Sequence, residues 1–202
     1  MIRAPDLGPA PTRISNIRER IARRMRESLS STAQYTLHTS ANAAGLLALR
    51  ARVKASRGAL PEININDLVV WCVVRALLEA PALNAEFIDG RIYRHSAVNI
   101  GFACDTERGL LVPVVKRCDT LSAAELAARM KELAARAVAG SIAPDDLSGA
   151  TFTVSNLGGL GIESFTPILN PPQVAILGVD AIQVKPVRRD GQVAFIDAIG
   201  LS

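Results

Sequence analysis

The chain has 202 residues, enough for one large domain with a substantial buried core. Hydrophobic residues make up 49% of it and aromatics only 4%, so the core has to be built from Ala, Leu, Val and Ile, a profile that excludes disordered and fibrous chains. The net charge of +4 comes with no aromatics among the arginines of residues 13–26, which argues against a nucleic-acid face, and Arg75 interrupts the best membrane-spanning candidate, residues 67–78.

Residues 1–12 are rich in Pro, Ala and Gly and read as a flexible linker or tail, so that 1–13 precede a single domain spanning 14–202. Ile17, Ile21 and Met25 recur at helical spacing, which predicts a helix over residues 14–30 with Arg18, Arg20, Arg23, Arg24 and Arg26 mostly on its other surfaces. That basic stretch reads as a solvated face or an anion site for a phosphorylated ligand. A second helix is expected over 42–54. A third opens at Asn66 as its cap, and its continuous apolar run places it in the interior.

Asp89-Gly90 between apolar residues signals a tight β-hairpin over 87–93. Strands are expected over 97–104 and 110–115. Ser122 and Glu125 form a capping-box pattern that starts a long helix, and Gly140 supplies its stop. Four more strands follow, around 150–154, 174–178, 182–187 and 193–199, with Asp190-Gly191 turning the last pair. Cys72, Cys104 and Cys118 are widely spaced with no C-x-x-C pair, which reads as free thiols in a reducing compartment. No signal peptide is evident, so a soluble, cytoplasmic protein is expected.

Several familiar chemistries fail on their own requirements. The glycines of residues 156–161 follow a strand but lead into Thr166-Pro167 and Asn170-Pro171-Pro172 instead of a helix, and a dinucleotide loop needs that helix N-terminus. No P-loop and no G-x-S-x-G elbow is present. His38 and His95 have no partner at metal-ligand spacing, so no metal is expected. A lone histidine is more often a packing or surface residue than a base, and both carry little functional weight.

Several segments together resemble one family. Residues 17–28 (IRERIARRMRES), 65–87 (INDLVVWCVVRALLEAPALNAEF), 98–119 (VNIGFACDTERGLLVPVVKRCD) and above all 145–179 (DDLSGATFTVSNLGGLGIESFTPILNPPQVAILGV) are similar to the catalytic domain of the dihydrolipoamide acyltransferases, the core components of 2-oxoacid dehydrogenase complexes. The resemblance implies an α/β fold shared with chloramphenicol acetyltransferase, a two-layer sandwich with a mixed sheet flanked by helices. It implies a homotrimer with active-site channels between subunits, and leaves open whether trimers build a larger core. The reaction implied is transfer of an acyl group, with wording nearest the acetyl members such as pyruvate dehydrogenase, between coenzyme A and dihydrolipoamide. The lipoyl group would be presented by a separate domain, and the other dehydrogenase components would be partners.

Ser155 matches the family's oxyanion-binding serine, with Asn156 and Gly158 shaping the same turn as substrate-binding residues. The family's general base is the histidine of an H-x-x-x-D-G motif. These 202 residues do not contain that motif, and the domain is expected to be incomplete at its C-terminal side. The alternative expectation is therefore a non-catalytic trimeric scaffold or binding protein of the same fold.

Overall fold

The computed structural model of the chain describes residues 13–56, 58, 61–107 and 109–202. Residues 1–12 of the expected tail lie outside them. Helix α1 (Asn16–Ser31) starts at Ser15, whose hydroxyl accepts from the Arg18 amide, and α2 (Ala44–Ala55) follows the short strand β1 (Thr39–Asn42). The buried helix α3 (Ile65–Glu79) puts Leu68, Val70, Val74 and Leu77 into the interior, as its apolar run predicts.

Its cap is Asn64, not Asn66. A capping box needs an acceptor three residues on: Asn64 finds Asp67, with bonds of 3.0 and 2.9 Å, whereas Asn66 faces Val69 at that spacing. Asn66, set inside the helix, is freed to bond elsewhere. Helix α4 (Ala123–Ala139) begins with the Ser122–Glu125 box and ends at Gly140, whose φ of 71° is the left-handed conformation of a helix stop.

The strands are β2 (Ala85–Ile88), β3 (Arg91–Arg94), β4 (Ile100–Phe102), β5 (Cys104–Thr106), β6 (Gly109–Leu111), β7 (Val114–Val115), β8 (Phe152–Asn156), β9 (Ile176–Arg189) and β10 (Gln192–Leu201). Six of them form one mixed sheet in the order β1-β10-β9-β8-β4-β7, with β4, β8 and β9 parallel and the other pairs antiparallel. β2–β3 and β5–β6 are separate hairpins, the first turned by Asp89-Gly90 as expected, both at positive φ.

The expected strand 97–104 divides into β4 and β5 at Ala103, and 110–115 divides into β6 and β7, where Pro113 has no amide to carry a ladder across. The expected pair 174–178 and 182–187 is instead the single strand β9. Gly178, Val179 and Asp180 are buried in succession, which erases the alternation that marks a strand in sequence. β1 carries no such alternation either, since all four of its residues are exposed.

Phe152, Val154 and Val179 join Val70, Val74, Leu126 and Met130 of α3 and α4 in the core, on one face of the sheet. Burying a side chain of this size contributes about 1.5–3 kcal/mol, so this face anchors the strands that carry the site on the other. No helix among the described residues is long and apolar enough to cross a membrane.

Candidate active site

Alternation along β8 decides which residues reach the opposite face. With Phe152 and Val154 committed to the core, Thr153 and Ser155 point the other way and line a cavity of about 460 Å³. Its walls come from α1 (Ile21, Arg24, Met25), the β6 end (Leu110, Leu111) and the irregular segment 161–172, including Phe165.

The two hydroxyls of β8 are not equivalent. Thr153 is buried and donates to Gln173 Oε1 at 2.7 Å, and Gln173 in turn donates to the Ala150 carbonyl at 2.9 Å. The half-buried Ser155 hydroxyl has no hydrogen-bond partner among the described residues. Of the two β8 hydroxyls it is therefore the one available to a ligand. Arg24 also faces the cavity, but its guanidinium is held by Asn170 Oδ1 at 3.0 Å and the Pro171 carbonyl at 3.1 Å, which ties α1 to segment 161–172.

Asn156 and Gly158 stand beside this cavity without lining it. Asn156 Oδ1 accepts from the Gly158 amide at 2.9 Å, and its Nδ2 donates to Asn66 Oδ1 on α3 at 2.9 Å. The chain then winds one 3₁₀ turn (Gly158–Leu160) and leaves through Gly161 at φ 76°. Both residues thus shape the turn that ends β8, in keeping with one half of their expected role, and Asn66 is the partner that makes the turn rigid.

Sequence reasoning gives the histidines little weight, and their positions differ sharply. His95 pairs with Glu86 at 3.2 Å on the β2–β3 hairpin side. His38 lies just before β1, where its Nδ1 meets Ser202 Oγ at 2.9 Å and Ser164 Oγ at 3.1 Å. Ser202 donates to the buried Asp180 carboxylate at 2.9 Å. With its one proton so used, Ser202 has to accept from His38, which puts the imidazole proton on Nδ1. Nothing in the sequence spacing of His38, Asp180 and Ser202 announces this line. It exists because β1, β10 and β9 are neighbours.

The mixed sheet thus carries a solvent-connected cavity against one face, with the Ser155 hydroxyl in its wall. The family model of the 2-oxoacid dehydrogenases acyltransferase catalytic domain matches residues 9–202, and the chain belongs to that family. The dihydrolipoyllysine-residue acetyltransferase component of the pyruvate dehydrogenase complex from Mycobacterium bovis is 42% identical over 176 residues, covering 85% of this chain and 32% of the relative. Among solved structures, the dihydrolipoamide acetyltransferase of Azotobacter vinelandii superposes with a TM-score of 0.91 at 32% identity, covering all of this chain and 86% of that one. The cubic core of a pyruvate dehydrogenase multienzyme complex gives 0.90 at 32% identity, with 100% and 86% covered. The expected α/β fold, a mixed sheet flanked by helices, is thus the fold of these acyltransferase cores. The chain spans between 32% and 48% of the length of the curated relatives it matches.

Proposed function

We propose that the protein transfers an acyl group, acetyl in the first instance, between coenzyme A and the dihydrolipoamide arm of a separate lipoyl domain, within a 2-oxoacid dehydrogenase complex. The observation that carries this reading is Ser155, the uncommitted β8 hydroxyl on the cavity wall. When one thiolate attacks the thioester of the other carrier, the carbonyl oxygen becomes an oxyanion, and Ser155 Oγ donates to it. The tetrahedral intermediate then collapses by releasing the second thiolate, which takes up the proton. Asn156, Gly158 and Asn66 hold the turn that fixes the end of β8, so the hydroxyl meets that charge without reorganisation.

The thiol must also lose its proton to a base. Neither His38 nor His95 lines the cavity, and the H-x-x-x-D-G motif that supplies the family's base is not among these 202 residues. The cavity and its free donor favour the enzyme over a non-catalytic scaffold.

Assembly as a homotrimer, and of trimers into a larger core, is part of the same reading. The β9–β10 hairpin runs well past the strands it pairs with, and Val184, Val193 and Phe195 on it are 66–70% exposed. An apolar surface on a two-stranded arm is suited to burial against another copy. Three free cysteines suit a cytoplasmic setting.

The deciding experiment is to mix the full-length protein with acetyl-CoA and dihydrolipoamide and follow release of the coenzyme A thiol. Acetyl transfer above the protein-free rate is expected, and its absence overturns the reading.

A further inference from the structure

Residues 165–168 form one wall of the Ser155 cavity without belonging to any helix or strand, and the two ends of their segment are held unequally. Toward its C-terminal end, α1 and the loop after it grip the chain. Ser28, fully buried, donates to the Leu169 carbonyl at 2.8 Å, Gln34 Oε1 accepts from the Leu169 amide at 3.1 Å, and Arg24 binds Asn170 and the Pro171 carbonyl. Toward its N-terminal end, the Ile162 carbonyl accepts from the Ala181 amide at 2.7 Å. Between those anchors, residues 163–168 make one hydrogen bond among the described residues, from Ser164 Oγ to His38 Nδ1 at 3.1 Å.

Packing supplies a second hold of a different kind. A Cβ at Gly178 would lie 2.9 Å from Phe165 Cζ, so the Phe165 ring fills the space above that bare glycine. Apolar contact of this sort is non-directional, whereas a hydrogen bond fixes distance and angle together. The orientation of the wall therefore depends on the Ser164–His38 bond.

His38 suits that task because its ring is itself fixed. Its Nδ1 meets Ser202 Oγ at 2.9 Å, and Ser202 donates to Asp180, whose side chain is buried at the middle of β9. The Nδ1 proton is shared between two serine oxygens, one belonging to the sheet and one to the wall. From this arrangement we infer that His38 is a positioning residue for acyl transfer, acting through Ser164 to hold the wall 163–168 in the shape that receives the substrate. The inference rests on the acyl-transfer reading and deepens it. Without the bond, the wall has to be ordered each time a substrate enters. That cost falls on binding, because Ser155 sits on β8 and is untouched.

The test follows acetyl transfer from acetyl-CoA to dihydrolipoamide by the full-length protein and by His38→Ala, Ser164→Ala, their double mutant and His38→Asn. One lost hydrogen bond should raise KM for at least one substrate about fivefold in each alanine variant, while kcat moves by less than about twofold. The double mutant should be no worse than either single variant, since both remove the same bond. His38→Asn, whose side-chain amide keeps an N–H near the place of Nδ1, should return KM to within about twofold of the parent value. An unchanged KM in Ser164→Ala overturns the inference, because His38 would then act on the sheet alone, and this variant decides the matter if His38→Ala does not fold. Calorimetric titration with acetyl-CoA separates the inference from the reading beneath it. If the parent protein transfers nothing, the reading fails, yet binding that weakens in both alanine variants and returns in His38→Asn still supports the role of His38. Equal binding in all of them, or none, rejects it.

Discussion

The carbonyl oxygen of Asp180 lies where a side chain on Gly158 would have to begin: a Cβ there would sit 2.4 Å from it. The obstacle is backbone on β9 and cannot rotate aside. Gly158→Ala is expected to destabilise the protein by about 1–3 kcal/mol and to lower turnover, because the turn it strains holds Asn156 and follows directly on Ser155. Gly159→Ala is the control, since nothing lies within 4 Å of a Cβ at that position. Urea unfolding of the two variants checks this. Equal losses would show that the close approach to Asp180 is not what requires Gly158.

Ser155→Ala removes the one cavity hydroxyl of β8 that has no partner among the described residues. A lost oxyanion donor costs about 10²–10³-fold in kcat, and KM for acetyl-CoA should barely move, because the hydroxyl matters most when negative charge has developed. Thr153→Val is the informative companion. It breaks the Thr153–Gln173–Ala150 chain in the interior, so its loss should appear in the unfolding midpoint. A kcat for Ser155→Ala equal to that of the parent protein would remove Ser155 from the mechanism.

Asn84 closes the Pro-x-Leu-Asn stretch that resembles the family, and its role here is structural. It is buried, its Nδ2 donates to the carbonyls of His95 and Ala97 at 3.0 Å each, and its Oδ1 accepts from Thr151 at 2.5 Å. Asn84→Ala takes this donor from the His95 and Ala97 carbonyls, while the Thr151 hydroxyl keeps Asn99, and a loss of about 2–4 kcal/mol is expected. Unfolding midpoints of Asn84→Ala and Thr151→Ala, with their double mutant, give the coupling directly. Additive losses would mean that the pair does not act as a unit.

These residues also separate what a sequence can disclose from what it cannot. Local chemistry is legible: Ser122 and Glu125, the Asp89-Gly90 and Asp190-Gly191 turns, and the Gly140 stop all depend on neighbours within a few positions. Ser155 is legible through resemblance, since a serine ending a strand has no signature of its own. What stays hidden depends on chain segments far apart. Asn66 reads as a cap because its partner Asn156 lies 90 residues away. Gly178 reads as an ordinary strand glycine until Phe165 is placed above it. The Asp180–Ser202–His38 line needs three strands in their final order.

Cys118 offers a check on burial by chemistry. Its thiol is fully buried, donates to the Val115 carbonyl at 3.0 Å, and has its pKa pushed up to about 11, chiefly by desolvation. The thiolate is the reactive form, so Cys118 should resist alkylation near neutral pH in the native protein and react only on unfolding. Cys72, the exposed thiol, should be labelled first even though partial burial raises its pKa too. Mass-spectrometric mapping after brief iodoacetamide treatment distinguishes them. Equal labelling of both sites would contradict the packing of β7 against the 3₁₀ turn Cys118–Thr120.

Asp67 makes the most direct pH prediction, because two of its interactions oppose each other. It accepts the Asn64 amide in the capping box that starts α3, yet it is buried, and desolvation outweighs that bond and raises its pKa above the usual carboxylate value. A raised acid pKa means that the folded protein holds this proton over a range where the unfolded chain has lost it. The group's favourable contribution is therefore complete below the unfolded pKa, declines as pH rises through the folded pKa, and is level above it. The Asp67→Asn variant keeps a side-chain oxygen to accept the Asn64 amide but has no proton to lose, so it is free of the decline. Its stability relative to the parent protein should climb from about pH 4 toward neutrality and then flatten. Paired urea titrations across that range measure the difference. A gap that stays constant, or that narrows as pH rises, would mean that the bond to Asn64 dominates over burial after all.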